Sequence, residues 1–234
     1  MTLSDAELRV RVNEVLSAGW IEIPSIAGYG GTGSPGKILE ELLDVKGGNL
    51  DTPDTGKWEI KFHSGRALLT LFHLEANPKG HLSLLIDNFG WPDSKGRNSF
   101  RHTIHGKTTG RGFFIENRDQ KIIIRNQINS EVSWAHWQHD SLMNAFVSKL
   151  RRLVTVNGEK KSQKVRYKSA VFYTEPRITE FISAIESGLV AIDFDARRRH
   201  RGNSLRNHGT KFRINGQYLD LLYHKKMQIG QSNQ

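Results

Sequence analysis

Between Trp58 and Phe62 the chain alternates without a break: Trp58, Ile60 and Phe62 are apolar, Glu59 and Lys61 charged. A period of two marks a strand with one buried and one polar face, and it excludes a helix here. It also places Glu59 and Lys61 on the same face. Pro53-Asp54 makes a turn just ahead, which brings Asp54 toward that edge. Two carboxylates and a lysine crowded together are unfavourable unless something sits between them. Hard carboxylate oxygens suit Mg²⁺, and a phosphate diester would complete the set of charges. The other reading of these residues is a hairpin strand with a solvated Glu/Lys face.

Upstream, Ser4-Asp5-Ala6-Glu7 is a capping box, opening a helix with a Leu8, Val12, Val15, Leu16 stripe that Gly19 ends. Trp20 to Ile23 reads as a short strand. Gly31 to Lys37 mimics a phosphate-binding loop, but Ile38 stands where a magnesium-coordinating hydroxyl belongs. The better reading makes Ser34 an N-cap and Pro35 the first residue of a helix through Leu43. On that helix Ile38, Leu39, Leu42 and Leu43 face the core, and Glu40 leaves on another side. Periodicity alone does not distinguish Glu40 from the solvated Glu41 beside it.

Downstream, strand-like runs cover Ala67–His73, His81–Asn88, Phe100–Gly106, Gly112–Glu116 and Lys121–Gln127, with a turn at Asn117-Arg118-Asp119. Ile122-Ile123-Ile124 suggests a strand covered on both faces. Asp140 to Val154 has helical spacing, with Leu142, Phe146, Leu150 and Leu153 on one face. Asn157 to Lys164 reads as a basic turn, Val165–Tyr173 as a strand, Arg177–Ser187 as a helix stopped by Gly188, and Leu189–Asp195 as a strand. Thr210, Phe212 and Ile214 form another strand, with Lys211 and Arg213 on the face opposite Phe212. The pairs His102/His105 and His136/His139 have a ligand-like spacing, but the first lies on a strand, where i and i+3 face opposite ways, and the second straddles a strand end and a helix start, so neither is expected to hold a metal.

Lysine and arginine outnumber aspartate and glutamate by 34 to 24, a net charge of +10. That balance suits a nucleic-acid partner. With no cysteine, disulfides, thiol nucleophiles and cysteine-based zinc sites are excluded. No apolar run reaches the length of a membrane span and the N-terminus lacks a signal-peptide core, so a cytoplasmic location is expected. The basic residues gather in two places: a loop from Pro92 to Asn98 with Lys95, Arg97, Arg101 and Lys107 around it, and Arg197 through Arg206. The second is expected to be a DNA-binding loop. Arg213 is a natural bidentate partner for guanine, and His208 and Lys211 can donate to the same acceptors.

Pro53-Asp54, four residues, then Glu59-x-Lys61 resembles the signature of the PD-(D/E)XK nuclease superfamily. The match is closest to its MvaI/BcnI restriction endonucleases, and nearer MvaI. It continues through Leu68-Leu69-Thr70-Leu71-Phe72, Arg166-Tyr167-Lys168-Ser169-Ala170 and His208-Gly209-Thr210-Lys211-Phe212-Arg213-Ile214-Asn215, in the same order. The resemblance implies an α/β, restriction-endonuclease-like fold, a mixed β-sheet flanked by helices, with two lobes around a DNA-binding cleft. Residues 1–155 would form mainly the catalytic lobe and 156–234 mainly the recognition lobe. It implies a type II restriction endonuclease, cutting double-stranded DNA at a short CCNGG-like site to leave 5′-phosphate and 3′-hydroxyl ends. Asp54, Glu59 and the Ile60 carbonyl would bind Mg²⁺, Glu40 would complete that shell, and Lys61 would position the attacking water. His73, Arg97, Arg101, Arg198, Arg199, Arg201, Arg206, His208, Lys211 and Arg213 would bind DNA. The family further implies a monomer that nicks the strands in succession, and a cognate methyltransferase in the same system. A mismatch-repair-type nicking endonuclease and a non-catalytic DNA-binding module are the alternatives.

Overall fold

The computed structural model describes residues 3–45, 53–55, 57–65, 67–198 and 204–230. The chain divides into two compact units, Met1–Leu69 with Val147–Arg177 and Leu219–Gln234, and Thr70–Phe146 with Ile178–Tyr218. Each is assembled from separated stretches, where the sequence reading drew one boundary near residue 155.

The first unit holds α1 (Asp5–Ser17), β1 (Trp20–Glu22), α2 (Ser34–Leu42), β2 (Glu59–His63), β9 (Arg152–Lys161), β10 (Lys164–Pro176) and β14 (Tyr223–Gly230). Its sheet runs β1-β10-β9-β2, with β14 also on β10. All pairings are antiparallel except β2 with β9, which is parallel and sets Glu59 beside Leu153. The sheet is therefore mixed, as expected. The Ser4 capping box closes with Ser4 N donating to Glu7 Oε2 at 2.8 Å and Glu7 N to Ser4 Oγ at 3.3 Å, an arrangement worth about 1 kcal/mol. Leu8, Val12 and Val15 of α1 and Ile38 and Leu39 of α2 are buried with Trp58, Ile60, Val154, Val156 and Phe172 in one core. Each such side chain contributes about 1.5–3 kcal/mol on leaving water.

The second unit holds β3 (Leu68–His73), α3 (His81–Phe89), β4 (Trp91–Pro92), β5 (Asn98–Ile104), β6 (Phe113–Arg118), β7 (Lys121–Asn126), β8 (Ala135–Gln138), α5 (Ile178–Glu186), β11 (Val190–Arg198), β12 (Leu205–Asn207) and β13 (Lys211–Asn215). Its larger sheet is ordered β3-β13-β11-β5-β4, with β12 on β11, and β6-β7-β8 forms a second. Ile122, Ile123 and Ile124 are all buried, so β7 is covered on both faces. The helix α4 (His139–Leu150) begins in this unit and ends in the first, and a 3-10 helix spans Gly216–Leu222. Phe146 of α4 stacks on Phe181 of α5 at 4.4 Å.

Several expectations are corrected. His81–Asn88 is the helix α3, not a strand: its buried residues His81, Leu82, Leu85 and Ile86 recur at helical spacing. A short apolar run fits either period until its neighbours choose. The helix expected to reach Val154 stops at Leu150, and Leu153 and Val154 are buried in β9 instead. Asn157 to Lys164 is mostly strand, with the β9–β10 turn carried by Ser162 at φ 51°. On α2 the N-cap is Gly33 and not Ser34, and Leu42 is 42% exposed. The basic segment is not simply a loop: Arg197 and Arg198 lie on β11 and Arg206 on β12, its antiparallel partner.

Candidate active site

The strand alternation is realised as read. Trp58 and Ile60 are buried in the core, and Glu59 and Lys61 share the other face, with Lys61 Nζ donating to Glu59 Oε1 at 2.6 Å. The strand's entry is fixed from two directions. Trp58 Nε1 donates to Asp5 Oδ1 at 3.0 Å, and Arg152 Nη1 donates to both oxygens of Asp5, tying α1, β2 and β9 together. Thr55 Oγ1 accepts from Trp58 N at 2.9 Å and Thr55 N donates to Trp58 O at 3.1 Å, which closes the turn.

That turn folds Asp54 back so that its Oδ2 accepts from Ile60 N at 2.8 Å. A strand residue's N–H and C=O point to the same side, so the Ile60 carbonyl faces the edge where Asp54 sits. Among the described residues β2 ends its sheet, and no strand neighbours it on this side. Glu59 is 2% exposed, and its Oε2 has no hydrogen-bond partner among the described residues. Burial pushes the Glu59 carboxyl above its ordinary range, with Lys61 opposing and the charge of Asp54 adding to the rise. Asp54 is likewise raised by burial, against its Ile60 hydrogen bond and the charges of Lys61 and Lys149. Half-buried Glu40, on α2, is raised by burial and then by the charge of Asp54. Glu41 turns elsewhere and accepts from Tyr29 Oη at 2.6 Å.

Among the described residues no three His, Asp or Glu side chains are drawn together as a ready metal cage. The donor set nevertheless fits a hard divalent cation. It offers only oxygens, one of them buried without a partner, and its carboxyl groups resist ionising together until positive charge arrives.

The second unit brings together another set. On one face of its larger sheet Asp193 lies in register with Thr103 and Lys211, and Asp195 with Arg101. Arg213 Nη1 is 3.3 Å from Asp193 Oδ2, Arg101 Nε 3.1 Å from Asp195 Oδ1 and Lys211 Nζ 3.8 Å from Asp195 Oδ2. Partial burial, then the charges of Arg97, Arg206 and Arg101, push Arg197 below the ordinary arginine range. These guanidinium groups are thus gathered despite their repulsion. Gly209, at φ +81°, lets His73 approach so closely that a Cβ there would stand 2.8 Å from its ring. His208 is exposed, with its N–H on Asp195 O at 3.0 Å. Arg97 is held by Asp93 through Nε at 2.8 Å. Arg198 is set apart: one residue after Arg197, it faces the other side of β11 and grips Asp87 of α3. Arg199 and Arg201 lie outside the described residues. Of the histidine pairs, His102 engages Thr109 Oγ1 and His139 engages Asn117 Oδ1, both at 2.9 Å.

Sequence reasoning missed Lys149, Asp193 and Asp195. The aspartates had a signal, since Ile192, Asp193, Phe194 and Asp195 alternate like Trp58 to Phe62. Lys149 had none, because its partner is distant in the chain.

An acidic strand with a lysine at the edge of a mixed sheet in one unit, and a basic sheet face in the other, is the layout of a restriction-type nuclease. The comparisons agree. The model of the MvaI/BcnI restriction endonuclease family matches residues 10–223. The chain is similar to a solved restriction endonuclease MvaI in complex with its cognate DNA substrate, at 26% identity and a TM-score of 0.81, over 97% of this chain and 99% of that one. It is also similar to MvaI in the absence of DNA, at 28% identity and a TM-score of 0.59, over 98% and 99%. Comparison with curated proteins gave no match. The chain belongs to the MvaI/BcnI restriction endonuclease family. It is a type II site-specific endonuclease with the restriction-endonuclease fold, which displaces both alternative readings.

Proposed function

We propose that this enzyme hydrolyses double-stranded DNA at a short CCNGG-like site with Mg²⁺ as cofactor, through Asp54, Glu59, Lys61 and Glu40. The observation that carries the reading is the buried Glu59 carboxylate, with Lys61 on one oxygen and no hydrogen-bond partner among the described residues on the other. Asp54, Glu59 Oε2 and the Ile60 carbonyl would hold the ion, and Glu40 would complete or orient its shell. Bound there, Mg²⁺ would supply Lewis acidity toward phosphate oxygen and water. Lys61 orients the attacking water and offsets charge gathering on the phosphoryl oxygens. The water oxygen bonds to phosphorus as the P–O3′ bond breaks, leaving a 5′-phosphate and, after proton uptake, a 3′-hydroxyl. The first unit is in this reading the catalytic lobe.

The second unit is the recognition lobe, where Arg101, Arg206, His208, Lys211, Arg213, His73 and Arg97 meet DNA, with Arg199 and Arg201 of the same basic segment. The similar MvaI structure with bound cognate DNA supports duplex DNA as the partner. We assign Arg198 a lesser part, because Asp87 already occupies its guanidinium. The enzyme acts as a monomer in the cytoplasm, nicking one strand and then the other, alongside a methyltransferase that protects host sites. Among the described residues no helix is long and apolar enough to cross a membrane.

Supercoiled plasmid incubated with Mg²⁺, and separately with EDTA, tests the reading. Nicked and then linear DNA in Mg²⁺ alone is expected, with ends that sequence to one short site. Cleavage in EDTA would remove the metal from the mechanism, and random ends would remove the site.

A further inference from the structure

A second lysine stands at the acidic centre, and it comes from far along the chain. Lys149 Nζ lies 3.8 Å from Glu59 Oε1, the same oxygen that Lys61 contacts at 2.6 Å. Both side chains are largely buried, at 15% and 18% exposed. At 3.8 Å an ammonium gives an oxygen charge without a hydrogen bond. Its charge also reaches Asp54.

The placement is tied to the first unit's own frame. Lys149 sits in the last turn of α4, next to the fully buried Leu150. The buried Tyr223 hydroxyl donates to Leu150 O at 2.8 Å and pins the helix end. Two residues past Leu150 the chain enters β9, whose Leu153 lies in register with Glu59. Helix end and acidic strand are therefore fixed to the same frame.

To orient a water, Lys61 must loosen its short bond to Glu59 Oε1. In a pocket this dry, a departing ammonium leaves a carboxylate oxygen uncompensated, the costly way to break a buried pair. A second cation already at that oxygen removes the obstacle. We propose that Lys149 is a positioning residue of the hydrolytic centre, one that shares Glu59 Oε1 with Lys61 so that Lys61 can turn to water while Oε2 stays directed at the metal. The proposal rests on Asp54 and Glu59 being the metal ligands. It has a second consequence: a fixed ammonium beside the ligands opposes the incoming cation, so Lys149 weakens metal binding as it speeds the reaction.

The uncharged, near-isosteric Lys149→Met separates these effects. Mn²⁺ binding to the DNA-free protein is followed by loss of the free-ion EPR signal. Nicking of plasmid in Mg²⁺ is followed in single turnover, and folding by the thermal midpoint. Mn²⁺ should bind at least about threefold tighter to Lys149→Met, while nicking slows about 10²-fold. Lys149→Arg should recover much of the lost rate. A merely structural lysine would give no tightening, so unchanged Mn²⁺ occupancy, including none in either protein, overturns the proposal. Wild-type nicking by Lys149→Met overturns it equally. Asp54→Ala and Lys61→Ala run alongside: if they cleave normally, the catalytic reading itself fails, whereas inactive controls beside an unaffected Lys149→Met remove Lys149 alone.

Discussion

The centre on β2 and the face formed by β5, β11 and β13 both mix carboxylates with basic groups, yet their balances are opposite. Around β2 three acids stand against two lysines, burial raises the acid pKa values, and a buried carboxylate oxygen has no hydrogen-bond partner among the described residues. On the sheet face Asp193 and Asp195 are each engaged by basic groups, and arginines are in surplus around Arg197. The first arrangement asks for a cation and the second for an anion. An acid–base cluster is thus read by what it leaves uncompensated and not by how many charges it holds.

The contrast breaks most decisively at Asp54 and Glu59. Either residue changed to Ala should lower plasmid cleavage by about 10³-fold or more, while DNA binding in Ca²⁺ holds or improves because an anion near phosphate is gone. Wild-type turnover by Asp54→Ala would move the active site elsewhere.

On the basic face the expected effects are smaller and concern discrimination. Arg213→Ala should cost about 1–3 kcal/mol on the cognate duplex and little on a scrambled one. Equal losses on both, with a salt slope lower by about one unit, would make Arg213 a phosphate contact.

A further difference lies in how stability follows pH. Glu59 has a folded pKa raised above 4.5, so the native state holds more protons than the unfolded chain over that interval. Stability contributed by this group is therefore lost as pH rises through the window. Glu59→Gln should have a higher urea midpoint than wild type near about pH 7, and the gain should disappear below about pH 4. A variant less stable at neutral pH would mean that the lysines more than compensate the buried charge.

The smallest effect belongs to Arg198, whose pair with Asp87 is partly solvated. Arg198→Ala should change stability by no more than about 1 kcal/mol and leave the cognate-to-scrambled binding ratio as it was. A lower ratio would return Arg198 to the reading set.

Sequence legibility followed the range of the interactions. Trp58 to Phe62 was readable because both faces of one strand are written in five consecutive residues, and Asp54 because its turn is adjacent. The fold class came from family resemblance, with the strands around Ile122 and Phe212 supporting it. His81 to Asn88 was mistyped because an apolar run of that length suits two periods, and the stop of α4 at Leu150 was hidden because Leu153 continues the helical spacing into a strand. Glu40 needed the family pattern to separate it from Glu41. Lys149, and the pairing of Asp193 and Asp195 with Arg213 and Arg101, depend on elements meeting across long stretches of chain, which no local pattern encodes.

The parallel pairing of β2 with β9 also says something about time. Hairpins such as β6–β7 close as soon as their few residues are made, but Glu59 must wait for Leu153. Long-range closure is the slow, entropically expensive part of assembling a sheet. A nascent chain ending at Leu150 would carry the whole Asp–Glu–Lys motif and no strand on which to set it. On the proposed function, cutting competence is withheld until the chain beyond that point has been made.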